Sequence, residues 1–320
     1  MNSHQKPFRV VGAYAAQPNA AAERRAFLDG VLDLPGVDGL EISWGAPGWD
    51  EDFPILADLL ERRGGQGRHV LTLIGAAASA AAKDPKVGLA STDAAGRARA
   101  VELVAAAHRA VADFVERGQR ILAVEVHAFP SLPAAAAGEG GCALEASLRE
   151  IASWDWGGAT LIVEHCDARP TDGPWQKGLL PLDVEIEAVM AAAGAAPTPL
   201  GMAVNWGRSA IEERDATAPE RHARRLRSAG LLRGVMFSGA TGREGAYGPA
   251  WSDVHPPLRE QVGESVMDRG HVAATLDAAG AGLLYEGVKV AVRPQEASTA
   301  DRIALIRGTL DALDAARSTR

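Results

Sequence analysis

Two short runs in the chain end in a glutamate and a histidine: Ala123-Val124-Glu125-Val126-His127 and Ile162-Val163-Glu164-His165-Cys166-Asp167. A parallel strand buried on both faces reads as a continuous apolar run, so ionisable groups at its carboxyl end require a reason. In α/β folds the ligand site lies outside the carboxyl ends of the strands. Strand alternation puts Glu125 and His127 on one face, puts Glu164 and Cys166 on one face, and turns His165 the other way as a packing residue. Two carboxylates and an imidazole so placed can move protons to and from a substrate, or flank a glycosidic bond. The plainer reading is a structural ion pair for either glutamate, since an unpaired buried carboxylate is costly.

Further chemistry-bearing residues fall at other strand ends: Glu41 and Trp44; Asn205, Trp206 and Arg208; Ser238; and Lys289 within Gly-Val-Lys-Val-Ala-Val. A lysine inside an apolar run needs an anionic partner, an anionic substrate or a lowered pKa. The stretch 239–268 adds Arg243, Tyr247, Trp251, Asp253 and His255, the last in a proline-rich turn. Arg208, Arg243 and Lys289 could together clamp an anionic group on a substrate. Tryptophans outnumber tyrosines seven to three, and Trp44, Trp206 and Trp251 offer flat apolar faces that suit sugar rings.

Those residues need elements to hold them. Strand-like runs at 8–15, 39–44, 69–75, 121–129, 160–166, 200–205, 232–238 and 287–292 alternate with helical stretches at 20–34, 53–63, 95–117, 144–153, 182–193, 219–228, 270–279 and 299–315. Eight such units predict an α/β fold, a single (β/α)8 TIM barrel spanning residues 1–320. A doubly wound sheet is disfavoured because no Gly-x-Gly-x-x-Gly follows the first strand and no P-loop occurs. The alanine-rich and glycine-rich runs at 76–82 and 133–141 read as loops, and the long connection at about 239–268 reads as a lid.

The formal net charge of −8, with 41 acidic against 33 basic residues, leaves no footprint for nucleic acid or an anionic membrane. No apolar run reaches membrane-spanning length, and the first eight residues lack a secretory pattern. Two cysteines, Cys142 and Cys166, make no disulfide framework, so a cytoplasmic setting is expected. Homo-oligomerisation is left open.

The Leu-Glu-Ile-Ser start at Leu40 and the Ile-Val-Glu end of the fifth strand resemble the xylose-isomerase-like TIM barrels, which include sugar isomerases and epimerases. The runs His-Ala-Phe-Pro, Glu-His-Cys-Asp, Asn-Trp-Gly-Arg and Trp-Ser-Asp-Val-His-Pro-Pro look like an uncharacterised bacterial branch of that superfamily. The resemblance implies one divalent metal held by glutamate, aspartate, histidine and glutamate on strands 5 to 8. Glu164 matches the first position, whereas Asn205, Ser238 and Lys289 depart from the other three. No metal is therefore expected at that quartet; if manganese or magnesium binds, Glu164 with Glu125 and His127 would hold it. The expected function is a sugar isomerase or epimerase using Glu125 and Glu164 as acid and base, with Lys289 or a metal steadying the enediolate oxygen. Glu41, Trp44, His127, Asn205, Trp206, Arg208, Arg243, Trp251 and His255 would bind the sugar. A metal-independent glycoside-cleaving enzyme using Glu125 and Glu164 and a non-catalytic sugar-binding barrel stay open as alternatives.

Overall fold

In the computed structural model, residues 6–65, 67–194 and 196–318 are described; residues 1–5, on which the leader expectation partly rests, lie outside them. The strands are β1 (Phe8–Val11), β2 (Gly39–Ser43), β3 (Arg68–Thr72), β4 (Arg120–Val126), β5 (Thr160–His165), β6 (Leu200–Asn205), β7 (Leu232–Phe237) and β8 (Tyr285–Val288). They close into a barrel in sequence order, so the (β/α)8 expectation is the observed fold. The helices are α1 (Ala21–Leu32), α2 (Trp49–Arg62), α3 (Ile74–Lys83), α4 (Ala94–Glu116), α5 (Ala137–Ile151), α6 (Leu182–Ala193), α7 (Trp206–Glu213), α8 (Ala218–Ser228), α9 (Arg269–Ala279) and α10 (Thr299–Ser318).

Two helices were not expected. The alanine run predicted as a loop is α3, since alanine is the best helix former and nothing from Ala76 to Lys83 interrupts it. Helix α7 starts on Asn205, whose side chain accepts from Arg208 N at 3.4 Å and so caps the first turn. The run at 133–141 is likewise a short 3-10 turn, Ala134–Ala136, running into α5.

Several strands are shorter than their apolar runs. His127 and Cys166 are each the first residue past β4 and β5. Strand β8 begins at Tyr285, not 287, and Lys289 follows it directly. Glu286 hid the start of that strand: its charge is buried, and is met by Arg9 at 2.7 Å and Arg317 at 2.6 Å.

The described residues fall into two compact units. In the unit of Met1–Glu41, Pro54–Leu59 and Val204–Arg320, β8 pairs in parallel with β1 and with β7, and α8, α9, α10 and α1 pack in succession. In the unit of Ile42–Phe53 and Leu60–Ala203, β3, β4 and β5 pair in parallel under α4, α5 and α6. Interior strand positions such as Val10, Val70, Val124, Leu161 and Val235 are fully buried, and burying such side chains supplies about 1.5–3 kcal/mol each.

The connection 239–268 carries no helix or strand among the described residues, only the isolated pairings of Thr241 with Ser265 and Gly245 with Gly248. It is nevertheless tied down. Gly239 N donates to Pro256 O at 3.0 Å, Val266 N to Ala240 O at 2.9 Å, and Ala291 N to His255 O at 2.7 Å.

Candidate functional site

In the second unit, the register of β4 against β5 pairs Glu125 with Ile162 and Val126 with Val163, so one step further His127 stands opposite Glu164. Their side chains meet: His127 Nε2 is 2.7 Å from Glu164 Oε2, both fully buried. Glu125 is fully buried one layer below, opposite Thr72 of β3. The Thr72 hydroxyl is buried and without a hydrogen-bond partner, an unmet polar group beside the acid. Thr72 was missed in the sequence because a threonine inside a strand looks like ordinary strand filling.

Just past β5, Cys166 is fully buried, and His127, Glu164 and Cys166 bring one donor atom each within 4.8 Å of one another. This set is able to hold a divalent ion, and its thiolate would favour zinc over manganese or magnesium. His165 turns outward, as alternation demands, and its Nδ1 lies 2.7 Å from the buried Glu185 carboxylate of α6. Asp167 ties the following loop, its Oδ2 accepting from the backbone N–H groups of Gln176, Lys177 and Gly178.

Trp44 lies half-buried after β2, 6.4 Å from Trp49, which stacks on Phe53 at 5.0 Å. These rings follow directly on the strand end.

In the first unit, Lys289 Nζ donates to Glu41 Oε1 at 2.9 Å, and both residues are buried. The Tyr14 hydroxyl reaches the same oxygen at 3.4 Å, and the ammonium lies 5.8 Å from the centre of the Tyr14 ring. A Cβ on Gly12 would fall 2.4 Å from Glu41 Oε2 and 2.9 Å from Lys289 Cβ, so the end of β1 leaves room only for glycine. Tyr14 and Gly12 lie in the strand-like run 8–15, where a tyrosine and a glycine look like ordinary strand filling.

The ends of β6 and β7 are joined by side chains. Ser238 Oγ donates to Asn205 Oδ1 at 2.9 Å, and His255 Nδ1 is 3.1 Å from Ser238 Oγ. Asp253 lies 3.5 Å from His255 and 2.6 Å from Arg208. His255 holds a positive φ of 52°, a backbone strained for any residue but glycine, and its carbonyl is pinned by Ala291 N. The turn residue expected at 255 is thus also a hydrogen-bonded member of a strand-end cluster.

Three expected binding residues are placed differently from the sequence picture. The Trp206 ring is fully buried in the first turn of α7, edge-on to His271 at 5.9 Å, so it presents no open face for a sugar. Trp251 is half-buried within the long loop, where its backbone N–H donates to Thr241 O at 2.7 Å. Arg243 is exposed and lines an open groove with Gly242, Arg259, Glu264 and His271. The cation clamp is not assembled as expected, since Arg208 is engaged by Asp253 and Lys289 by Glu41.

The metal quartet implied by the resemblance does not fit this chain. Asn205 Oδ1 is occupied by two donors, Ser238 Oγ and Arg208 N, and an ammonium stands at the strand-8 position. Cation placed against cation opposes binding there.

Among the described residues, no helix is long and apolar enough to cross a membrane. Solved structures with this architecture include a D-tagatose 3-epimerase-like protein, 14% identical, covering 97% of this chain and 99% of that one with a TM-score of 0.61. Another is the IOLI protein with a bound zinc atom, 12% identical over 96% and 97% of the two chains with a TM-score of 0.63. A third is D-allulose 3-epimerase from Methylomonas sp. in complex with D-allulose, 14% identical over 97% and 96% with a TM-score of 0.57. At such identities the likeness is one of fold, the closed (β/α)8 barrel. Closer in sequence, the uncharacterized protein STM3670 of Salmonella typhimurium is 31% identical over 305 residues, 93% of this chain and 94% of that protein. With residues 10–305 matching it as well, the chain belongs to the family described as a domain of unknown function, DUF4862.

Proposed function

We propose that the protein is a sugar isomerase or epimerase in which Glu125 and Glu164 move a proton at the carbon next to a sugar carbonyl. The observation that carries this reading is the pair of fully buried carboxylates on adjacent strands β4 and β5, one of them held by the imidazole of His127. A desolvated carboxylate beside a carbon acid is a stronger base than one in water, and a hydrogen-bonded imidazole both orients it and relays its proton. His127 serves as the positioning residue for Glu164. The xylose-isomerase-like fold supports the sugar, because proteins with this architecture include one solved with D-allulose bound and one crystallised in the presence of D-fructose.

The metal quartet has no part in this reading, because Asn205, Ser238 and Lys289 supply none of its last three donors. Trp44 supplies an apolar ring face at the end of β2.

The test is solvent exchange. The purified chain is incubated with D-fructose, D-allulose and a panel of other ketoses and aldoses in deuterated water, and deuterium at the carbon next to the carbonyl is read by NMR. At least one sugar exchanges, and Glu125→Gln and Glu164→Gln each lower the rate by at least about 10²-fold while His127→Gln lowers it less. Sugar binding with no exchange in the folded wild-type protein would instead establish a binding barrel. Release of a free sugar from an aryl glycoside, abolished in both glutamine variants, would establish the glycoside-cleaving alternative.

A further inference from the structure

Lys289, Glu41 and Tyr14 form a closed cluster at the ends of β1, β2 and β8, and its make-up exceeds what a structural ion pair requires. The lysine and glutamate are at most 1% exposed, and a buried ion pair is by itself weak support for a fold, often replaceable by apolar side chains without loss. Here the pair is kept with a phenol on the same carboxylate oxygen and with a glycine at 12, whose every substitution would drive into both partners. Amine, carboxylate and phenol together are the groups that condensation of an amine with a carbonyl uses: a nucleophile, a proton acceptor and a proton donor.

We propose that Lys289 forms an imine with the open-chain carbonyl of a sugar, so that the site works through a covalent Schiff base; this rests on the reading that the site takes a carbonyl sugar. Glu41 first takes a proton from the Lys289 ammonium. The freed nitrogen lone pair attacks the carbonyl carbon, and the C=O π pair moves to oxygen. That oxygen receives the proton from Glu41, while the nitrogen returns one of its own to the carboxylate. Glu41 then protonates the carbinolamine hydroxyl, which leaves as water as the nitrogen lone pair closes the C=N bond. The sum is ammonium plus carbonyl giving iminium plus water, with the Glu41 carboxylate restored and no oxidant or reductant consumed. Tyr14 holds the Glu41 oxygen and shares its proton. The iminium draws electrons from the neighbouring C–H bond, the effect a divalent ion on the carbonyl oxygen would have.

Access fits a covered site. Tyr14 is half-buried and forms the side of the cluster nearest solvent, whereas the residues after Lys289 lie under the long loop through Ala291 N to His255 O at 2.7 Å and Tyr247 Oη to Ala291 O at 3.4 Å. Burial pushes the Tyr247 phenol up, with Arg293 beside it opposing the shift, so this contact stays a neutral hydrogen bond donor at ordinary pH.

The experiment is borohydride trapping. Full-length protein is mixed with dihydroxyacetone, D-fructose or D-allulose, reduced with sodium borohydride, and read by intact mass and peptide mapping. Reduction of the imine adds the mass of the sugar less one oxygen atom, and the adduct is expected at Lys289. Lys289→Arg, which keeps the charge beside Glu41, loses the adduct, and Tyr14→Phe lowers its yield; circular dichroism confirms that both variants fold. Adducts confined to exposed lysines such as Lys83 and Lys86, or an unchanged adduct level in Lys289→Arg, overturn the proposal. Solvent exchange at the sugar with no adduct at Lys289 overturns the imine while leaving the isomerase reading standing. An adduct at Lys289 without exchange upholds the imine and overturns that reading.

Discussion

Arg208 Nη2 lies 2.6 Å from Asp253 Oδ2, and this ion pair fastens the long loop after β7 to the first turn of α7. Arg208 is 3% exposed and Asp253 13%, so water screens the pair poorly. The loop is therefore held over the strand ends by a charge pair as well as by backbone hydrogen bonds to Ala240, Pro256 and His255.

Removing one partner leaves the other charge buried. Asp253→Asn should destabilise the protein by about 2–4 kcal/mol, read as a lowered denaturant midpoint, because an uncompensated buried cation costs more than the pair gains. Limited trypsin digestion should cut faster at the exposed Arg243 in the same variant. Arg208→Gln combined with Asp253→Asn should recover part of the loss, since the two changes share one interaction. Single losses that simply add in the double variant would show that the pair carries no coupling.

Gly12→Ala probes the Lys289 and Glu41 pair by sterics alone. Gly12 has an ordinary φ of −76°, so alanine adds no backbone strain there. The added methyl would meet Glu41 Oε2 at 2.4 Å, and the carboxylate has to move off Lys289 or the strand end has to shift. A loss of about 1–3 kcal/mol is expected, the usual cost of overfilling a packed interior. Lys289→Met with Glu41→Leu should cost less than either single change, whereas a larger loss in the double variant would show that the pair is needed for folding itself.

The barrel was legible because buried parallel strands write long apolar runs, and the Glu-His endings of β4 and β5 stood out against them. The partnership of Lys289 with Glu41 was not read, although closure implies it. The two residues are 248 positions apart, yet β2 and β8 are the two neighbours of β1 in a closed barrel. Gly12 at the end of β1 sits between them for that reason. The Asn205, Ser238 and His255 chain was half legible: two strand ends could be placed, but loops have no period, and nothing in Asp253-Val254-His255 fixes which strand end it returns to. Trp206 follows a strand, where a loop is the ordinary expectation, but the Asn205 cap starts a helix on it at once and turns the ring into the interior.

Chelation gives a separate prediction. Asn205, Ser238 and Lys289 replace three expected metal donors, and their side chains are already bonded to one another or to Glu41. Dialysis against a strong chelator should leave solvent-exchange activity within about twofold of the untreated protein, because those three positions offer an ion no anionic donor. Loss of activity that manganese or zinc restores would show an ion in the mechanism. In that case Cys166→Ser should weaken zinc far more than manganese, since only zinc gains from the thiolate of the His127, Glu164 and Cys166 set.

His69 makes stability fall as pH drops. The ring is fully buried at the amino end of β3, with Nε2 3.3 Å from Gln119 Oε1, whose amide donates to Leu60 O. Burial lowers the His69 pKa from 6.5 to about 4, against a smaller opposing push from the Gln119 hydrogen bond. The unfolded chain therefore binds a proton that the folded chain refuses between those two values. The contribution is fully present above pH 6.5, is lost as pH falls towards about 4, and changes no further below it. A shift of this size amounts to roughly 3 kcal/mol over the window. Urea midpoints measured at pH 7 and pH 4.5 should differ for the wild type, and the difference should shrink in His69→Gln, which has no titrating ring. If both proteins lose the same stability between these pH values, acid sensitivity comes from other groups and the folded His69 takes up its proton as readily as the unfolded one.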